Sequence, residues 1–152
     1  MTPWRDEIEQ ALAAFLTVTD LAGDPISKAE IVVEFLPAPH RPPSQLPSGK
    51  MAVYAFWGDR MWLKIGKAGP NSGARYASQH YNPGSARSTL AGSLVNDARM
   101  VLIPGLDPQT PGAWIKSSTH RVNILLPSNR QKTLLSLLEA FLHVRLKPRY
   151  EG

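Results

Sequence analysis

The amino-acid sequence predicts an α/β (α+β) protein, with a small, mainly antiparallel three-stranded sheet flanked by helices and an N-terminal helical extension. Its 152 residues are 43% hydrophobic and 19% charged, as is typical of a globular chain long enough to bury a core. Two segments rich in β-branched and aromatic residues flank Gly58-Asp59-Arg60 and indicate a hairpin. Near the C-terminus, leucine and phenylalanine recur at the spacing of a long amphipathic helix.

The first 49 residues are predicted to form a helical extension and a connector, and residues 50–152 the main domain. One helix is expected to run from its cap at Thr2 to about Phe15. A second helix is expected to start at Asp24-Pro25 and to continue to the connector. The segment Pro37–Gly49 contains five prolines in thirteen residues, so we expect an extended connector in which His40 is solvated.

The hairpin is predicted from the strands Val53–Trp57 and Met61–Ile65. Its register decides which side chains share a face, because a slip of one residue moves a side chain to the opposite face. A two-residue turn would pair Tyr54 with Leu63, whereas a three-residue loop would pair Tyr54 with Lys64. The second register is expected if Tyr54 and Lys64 act on one substrate.

Shorter elements are expected between the hairpin and the last helix. A flexible loop is predicted over Gly66–Gly73, followed by a helix that starts near Ser72 and is stopped by Pro83-Gly84. The elements expected after it are a helix from Ser85 or Ser88 to Asn96, a buried strand Met100–Ile103, and a strand Val122–Leu126.

The last helix has the clearest signals. Ser128 and Gln131 have the spacing of a capping box after Pro127. The apolar stripe that follows consists of Leu134, Leu135, Leu138, Phe141 and Leu142. Glu139 lies at the margin of this stripe, where a carboxylate can face a cleft beside the core.

Composition and charge exclude several classes of protein and of metal site. The acidic N-terminus lacks the apolar segment of a signal peptide, and no apolar run is long enough to span a membrane. With no cysteine, disulfide partners and thiolate zinc sites are excluded, and a cytoplasmic location is expected. Residues 1–50 hold four Lys/Arg and seven Asp/Glu (net −3), whereas residues 51–152 hold thirteen and five (net +8). This asymmetry is typical of a face that binds phosphates.

Two short motifs, Ala52-Val53-Tyr54 and Lys64-Ile65-Gly66, lie on the two predicted strands of the hairpin, and Arg75 follows nine residues after Gly66. In order and position they resemble the first motif, the second motif and the following arginine of the GIY-YIG endonuclease superfamily. Near the C-terminus, Glu139 is followed by a proline after nine residues and by an aromatic residue two further on, as in the closing segment of the family. The resemblance covers roughly residues 51 to 151.

The resemblance implies a Mg²⁺- or Mn²⁺-dependent endonuclease that hydrolyses phosphodiester bonds in DNA. Glu139 would anchor the metal ion, which polarises the phosphate. Arg75 and Lys64 would bind the phosphate and stabilise the charge of the transition state. Tyr54 would orient or deprotonate the attacking water, which requires neighbouring positive charges to lower its pKa. His80 would relay the proton, with Tyr76 as the second candidate.

The candidate contacts to nucleic acid come from the basic part of the chain. They are Lys67, Tyr76, Lys116 and Arg121. His143, one helical turn after Glu139, is expected to pack behind the metal site rather than to bind the metal.

Two other functions stay open. The first motif has Ala52 in place of glycine, the second has Lys64 in place of tyrosine, and Glu151 replaces the usual asparagine. The missing motif glycine and Glu151 leave open a catalytically inactive nucleic-acid-binding module as the first alternative. A scaffold that binds another protein through the acidic N-terminal helices is the second.

Overall fold

The computed structural model describes residues 3–84 and 89–150. Its α-helices are α1 Pro3–Leu21, α2 Gly73–Ala77, α3 Leu90–Val95, α4 Pro111–Ser118 and α5 Lys132–Leu146. Its strands are β1 Val32–Leu36, β2 Lys50–Gly58, β3 Met61–Ala68 and β4 His120–Pro127. Short 3₁₀ helices span Lys28–Glu30, Gln79–Tyr81 and Ala98–Leu102. The predicted α+β class is confirmed, with four strands in the sheet instead of three.

All strand pairs in the sheet are antiparallel, in the order β1-β4-β2-β3. One face of the sheet packs on α1 and α5, through residues such as Phe15 and Leu138. The other face is covered by α2, α3 and α4 and by the 3₁₀ helices Gln79–Tyr81 and Ala98–Leu102, through residues such as Leu90 and Trp114. Because helices cover both faces, side chains on the central strands β2 and β4 are buried on either side.

The hairpin turn is Asp59-Arg60, and it sets a register different from both predicted ones. Asp59 and Arg60 have φ values of 51° and 65°, the left-handed pair typical of a two-residue type I′ turn. Gly58 therefore pairs with Met61, and Tyr54 pairs with Gly66. The predicted pairings of Tyr54 with Leu63 or Lys64 were both wrong, because they took other residues as the turn.

A β-bulge in the hairpin places Lys64 on the same face of the sheet as Tyr54. Trp57 pairs with Trp62, but Phe56 pairs with Lys64, so Leu63 is an extra residue on β3. The extra residue shifts the alternation of β3 by one position. Lys64 thereby lies on the same face as Phe56, which is also the face of Tyr54, two residues away on β2.

We expect Arg60→Gly to raise the free energy of unfolding by about 1 kcal/mol, because glycine adopts positive φ without steric cost. Urea denaturation measures this gain. Arg60→Ala is the matched control, since alanine loses the charge but keeps the strained backbone. An equal gain in both variants would assign the effect to charge and contradict a backbone origin.

The N-terminal segment departs from the prediction after α1. The second predicted helix is instead the 3₁₀ helix Lys28–Glu30 followed by β1, which pairs with β4. The β-branched residues of this segment favour a strand, and pairing to β4 outweighs the helical spacing. The connector to Gly49 has no regular element, as expected. His40, however, is 7% exposed and so is buried, not solvated.

Other boundaries also differ from the prediction. Ala98–Leu102 is a 3₁₀ helix and not a strand. Helix α5 begins at Lys132, with Gln131 and not Ser128 in the cap position, and the Ser128 backbone N–H donates to the carbonyl of Gly49. The predicted Thr2 cap, the helix start at Ser85 or Ser88, and Glu151 lie outside the described residues.

The segment after α5 closes the outer edge of the sheet at β3. The backbone N–H groups of Arg149 and Tyr150 donate to the carbonyls of Trp62 and Leu63, and Tyr150 forms a parallel bridge with Lys64. These bonds hold the backbone of β3 in place next to Lys64. Within residues 3–84 and 89–150, no helix has the length and apolar character needed to cross a membrane.

Candidate active site

The base of the candidate site is the hairpin face that carries Tyr54 and Lys64. Both side chains are completely buried, although one is a phenol and the other an amine. The prediction that the two share a face is confirmed by the pairing of Phe56 with Lys64. Buried polar groups of this kind require partners, and these come from α2, from Gln79–Tyr81 and from α5.

Gly66, which pairs with Tyr54, lets the phenol lie close to the strand. A Cβ atom at Gly66 would lie 2.8 Å from Tyr54 Oη and 2.9 Å from Tyr54 Cζ, too close for any real side chain. The absence of a side chain at Gly66 therefore makes room for the tyrosine ring. Ala52, which replaces the motif glycine, is completely buried on the same face.

His80 fixes the position of the Tyr54 oxygen. The two are joined by a hydrogen bond of 2.7 Å between Tyr54 Oη and His80 Nε2. On the other side of the ring, the Leu90 backbone N–H donates to His80 Nδ1 at 3.1 Å. A backbone N–H can only donate, so Nδ1 carries no proton and Nε2–H donates to Tyr54. Burial and the nearby Arg75 and Arg121 keep this ring neutral by lowering the pKa of His80 far below its ordinary value.

Arg75 is a second group that acts on Tyr54. The positive charge of its guanidinium favours the ionised form of the phenol and so opposes the rise in the pKa of Tyr54. Burial nevertheless dominates and raises the pKa of Tyr54 to about 12, with Arg75 and Arg121 opposing this rise and Glu139 adding to it. Tyr54 is thus a neutral phenol whose oxygen accepts a hydrogen bond from His80 and is subject to the charge of Arg75.

Lys64 is a buried amine beside other charged groups. Burial and the charge of Arg75 lower its pKa to about 8, and the carboxylate of Glu139 opposes that change. At neutral pH the amine is still mostly protonated. An anion bound between Lys64 and Arg75 would relieve the repulsion between the two cations.

Glu139 reaches the site from α5, on the other side of the sheet. Its Oε1 lies 3.6 Å from Lys67 Nζ, and Lys67 also donates to Ser136 Oγ at 3.0 Å. The side chain of Glu139 is 24% exposed, and its charge acts on both Tyr54 and Lys64. The carboxylate therefore lies at the solvent margin of the cluster and not inside it.

The donor atoms near Glu139 suit a hard cation only in part. In the ranges that the structure describes, no group of three or more histidine or carboxylate side chains is placed to hold a metal ion. One carboxylate fits Mg²⁺ when water and substrate phosphates supply the other ligands. His143 shares a 3.2 Å hydrogen bond through Nε2 with the backbone carbonyl of Ile65, which agrees with the packing role expected for it.

The predicted contacts to nucleic acid fall in different places. Lys67 is exposed and lies at the site through its ion pair with Glu139. Lys116 is exposed on α4, and no contact joins it to the cluster in the described part of the chain. Tyr76 and Arg121 are buried, so neither fits the contact to nucleic acid predicted for it. The Tyr76 hydroxyl instead donates to Glu34 at 3.4 Å.

A buried polar network beneath the site was not expected from the sequence. His40 Nδ1–H donates to the Thr119 carbonyl at 2.8 Å, so its Nε2 accepts from the Tyr81 hydroxyl at 2.7 Å. Arg121 Nη1 donates to the same Tyr81 oxygen at 3.2 Å. The sequence carries no signal for this network, because the alternation of Arg121 and Asn123 with apolar residues is also typical of a strand with one solvated face.

Five predicted residues thus meet from five elements of the chain: Tyr54, Lys64, Arg75, His80 and Glu139. They offer a phenol oxygen fixed by the His80 hydrogen bond, two cations that suit a phosphate, and a carboxylate at the margin that suits a hard cation. This combination is chemically suited to phosphoryl chemistry. Comparisons with protein-family models, with curated proteins and with solved structures found no match to this chain.

Proposed function

We propose that the protein is a Mg²⁺-dependent endonuclease that hydrolyses phosphodiester bonds in DNA through a site of GIY-YIG type. The observation that carries the proposal is the Tyr54 oxygen, which is held by His80 on the face that also bears Lys64 and is subject to the charge of Arg75. The two motifs lie on adjacent strands and Arg75 lies on the next helix, which is the arrangement that the resemblance implies. A cytoplasmic location, which suits a chain without cysteine, is part of the proposal.

Arg75 and Lys64 bind the scissile phosphate in this proposal. Arginine offers planar paired donors that match two phosphate oxygens, and lysine adds a point charge. Because Lys64 is buried, its charge acts at low dielectric and stabilises the developing negative charge more strongly than a solvated amine does.

Tyr54 acts on the attacking water, and His80 keeps its oxygen in place. His80 Nε2–H already donates to Tyr54, so the histidine cannot accept the phenol proton while Leu90 occupies Nδ1. His80 is therefore a positioning residue in this proposal rather than the relay that the resemblance implies. The hydrogen bond from His80 Nε2–H and the charge of Arg75 stabilise a negative oxygen on Tyr54 after the phenol has lost its proton to solvent and before it accepts one from the attacking water.

Glu139 is the protein ligand proposed for Mg²⁺, or for Mn²⁺ in its place. The metal ion supplies charge that polarises the phosphate and assists the leaving oxygen. To bind the metal, Glu139 must give up its ion pair with Lys67 at 3.6 Å. Breaking this pair costs less than about 1 kcal/mol, because it is exposed to solvent. Lys67, once released, is free to contact the nucleic acid backbone.

A catalytically inactive nucleic-acid-binding module is the second candidate. It is favoured by the ion pair between Lys67 and Glu139, which neutralises the proposed metal ligand, and by the neutral phenol of Tyr54. A module of this kind would bind DNA through its basic groups and leave it intact.

The test is cleavage of plasmid and of single-stranded DNA in Mg²⁺ and in EDTA, with Glu139→Ala beside the native protein. We expect cleavage in Mg²⁺, none in EDTA, and a loss of about thousandfold in Glu139→Ala because one ligand of the metal is removed. Glu9→Gln removes a carboxylate of α1 that has no part in the site, and it should cleave like the native protein.

The other outcomes separate the alternatives. DNA binding that weakens with salt, without cleavage in Mg²⁺ or Mn²⁺, would contradict the nuclease and support the module. Neither binding nor cleavage would contradict both and favour the scaffold that acts through the N-terminal helices. Equal cleavage by Glu139→Ala and the native protein would exclude Glu139 as the metal ligand.

A further inference from the structure

Arg121 is a buried cation that the roles above do not use. It lies on β4, on the face of the sheet that carries Tyr54, and its side chain is completely buried. Arginine is almost never fully buried unless it is paired, because removing a charge from water is costly. The partners of Arg121 therefore indicate what this charge does.

The three hydrogen bonds that the Arg121 side chain donates go to neutral groups. Its Nε donates to Asn123 Oδ1 at 2.7 Å, its Nη1 to Tyr81 Oη at 3.2 Å, and its Nη2 to the Tyr76 carbonyl at 2.6 Å. In residues 3–84 and 89–150, no carboxylate forms an ion pair with it. Glu34 is reached only indirectly, since Asn123 donates to Glu34 at 3.3 Å. The positive charge is hydrogen-bonded but not neutralised by direct contact.

Three aromatic rings enclose the guanidinium. Its Cζ lies 4.9 Å from the ring centroid of Tyr54, 5.2 Å from that of Phe56 and 4.9 Å from that of Tyr76. A cation over an aromatic face is attracted by the electron density of the ring. Ionisation of a phenol moves negative charge into its ring, so this attraction is stronger for a phenolate than for a phenol. Of the three rings, Tyr54 is the one placed at the site.

We propose that Arg121 is a positioning residue that acts through Tyr54: its guanidinium, held against the ring, stabilises the anionic form of the phenol when the proton leaves. The catalytic meaning of this role rests on the proposed function, but the interaction itself does not. Arg121 touches neither substrate nor metal in this assignment, and it differs from Arg75, which acts at the phenol oxygen.

Other charged or titratable groups face Tyr54 from the surrounding elements, and the test must separate them from Arg121. They are Lys64 from β3, Arg75 and Tyr76 from α2, His80 from Gln79–Tyr81 and Glu139 from α5. Arg121 itself also neighbours the phenol of Tyr81, the ring of His40 and, through Asn123, the carboxylate of Glu34. Among these groups, Arg121 is the one that contacts the ring face from β4.

The test replaces Tyr54 with a trifluorinated tyrosine, whose phenol ionises at a pH that the folded protein tolerates. Titration followed by fluorine NMR then reports this phenol alone, without DNA or metal. We expect Arg121→Met, which removes the charge at similar volume, to raise the pKa of the fluorinated phenol by about one unit. Arg121→Gln is a second neutral variant that keeps hydrogen-bond donors, in case the methionine variant does not fold.

Two further variants distinguish charge from structure. Arg121→Lys keeps a cation, and its phenol should titrate closer to the native protein than that of the neutral variants. Tyr81→Phe removes one hydrogen bond of Arg121 without changing any charge at neutral pH, and its phenol should titrate as in the native protein. An unchanged pKa in both neutral variants would overturn the proposal. So would a rise of equal size in Arg121→Lys or in Tyr81→Phe.

The phenol titration tests the role of Arg121, and the cleavage assay tests the proposed function, so either hypothesis can be contradicted without the other. If the protein does not cleave DNA but the neutral variants raise the phenol pKa, the role of Arg121 stands and the proposed function falls. If the protein cleaves DNA and the phenol pKa does not change, the nuclease stands and the role of Arg121 falls. When both hold, the pH at which cleavage is half-maximal should move upward in Arg121→Met by the same amount as the phenol pKa.

Discussion

Tyr54→Phe is expected to lower the rate of DNA cleavage about thousandfold while leaving the affinity for DNA within about twofold, as is typical for loss of a group that takes part in proton transfer. The substitution removes one oxygen, which accepts a hydrogen bond from His80 and is subject to the charge of Arg75. The His80 Nε2–H is then left buried without its acceptor, so the free energy of unfolding should also fall by about 1–3 kcal/mol. Single-turnover cleavage, DNA binding in EDTA and urea denaturation measure the three effects.

Tyr76→Phe is the matched control for Tyr54→Phe. Tyr76 is also buried and also packs against Arg121, but its hydroxyl donates to Glu34 instead of joining the site. We expect native cleavage from this variant. Equal losses from Tyr54→Phe and Tyr76→Phe would show that the polar network is needed for stability alone, and they would remove Tyr54 from the proposed chemistry.

Gly112→Ala is expected to lower the free energy of unfolding by about 3 kcal/mol. A Cβ atom at Gly112 of α4 would overlap the backbone carbonyl oxygen of Tyr81, which cannot rotate away as a side chain does. Relief requires α4 to move from the 3₁₀ helix Gln79–Tyr81, which also carries His80. We therefore expect lower cleavage in this variant even at temperatures where it stays folded, measured by thermal melting together with cleavage assays.

Gly73→Ala provides the comparison for Gly112→Ala. Gly73 is the first residue of α2, and nothing lies within 4 Å of a Cβ atom built there. Alanine favours helix over glycine by up to about 1 kcal/mol, so this variant should be as stable as the native protein or slightly more stable. A similar loss of stability in both variants would mean that glycine flexibility, and not the contact with Tyr81, is what matters at Gly112.

The shared face of Tyr54 and Lys64 could be predicted from the sequence, but the register that produces it could not. Strand composition located both strands of the hairpin. The turn depends on two non-glycine residues, Asp59 and Arg60, that adopt positive φ, which residue type alone does not indicate. The extra residue Leu63 depends on packing against the rest of the fold, so hairpin rules alone do not reveal it.

Burial was hardest to predict where a polar residue lies on a central strand. Arg121 follows a basic stretch and alternates with apolar residues, a pattern that indicates a solvated strand face. Its burial follows from the helices on that face, which cover it only in the tertiary structure. His40 was misassigned for the same reason, because its partners Thr119 and Tyr81 are distant in sequence. Glu139 could be identified from its sequence spacing to Pro148 and Tyr150, which does not depend on tertiary contacts.

The hydrogen bonds from Arg149 and Tyr150 to β3 form late in synthesis, because both residues follow the rest of the site along the chain. Tyr54, Lys64, Arg75 and His80 are made early, but the strand that buries Arg121 beneath them and the helix that carries Glu139 come later. The outer edge of the sheet beside Lys64 closes only when Tyr150 has left the ribosome. A growing chain therefore carries most of the candidate phosphate-binding groups without the carboxylate, and it has no complete site until this last segment has paired.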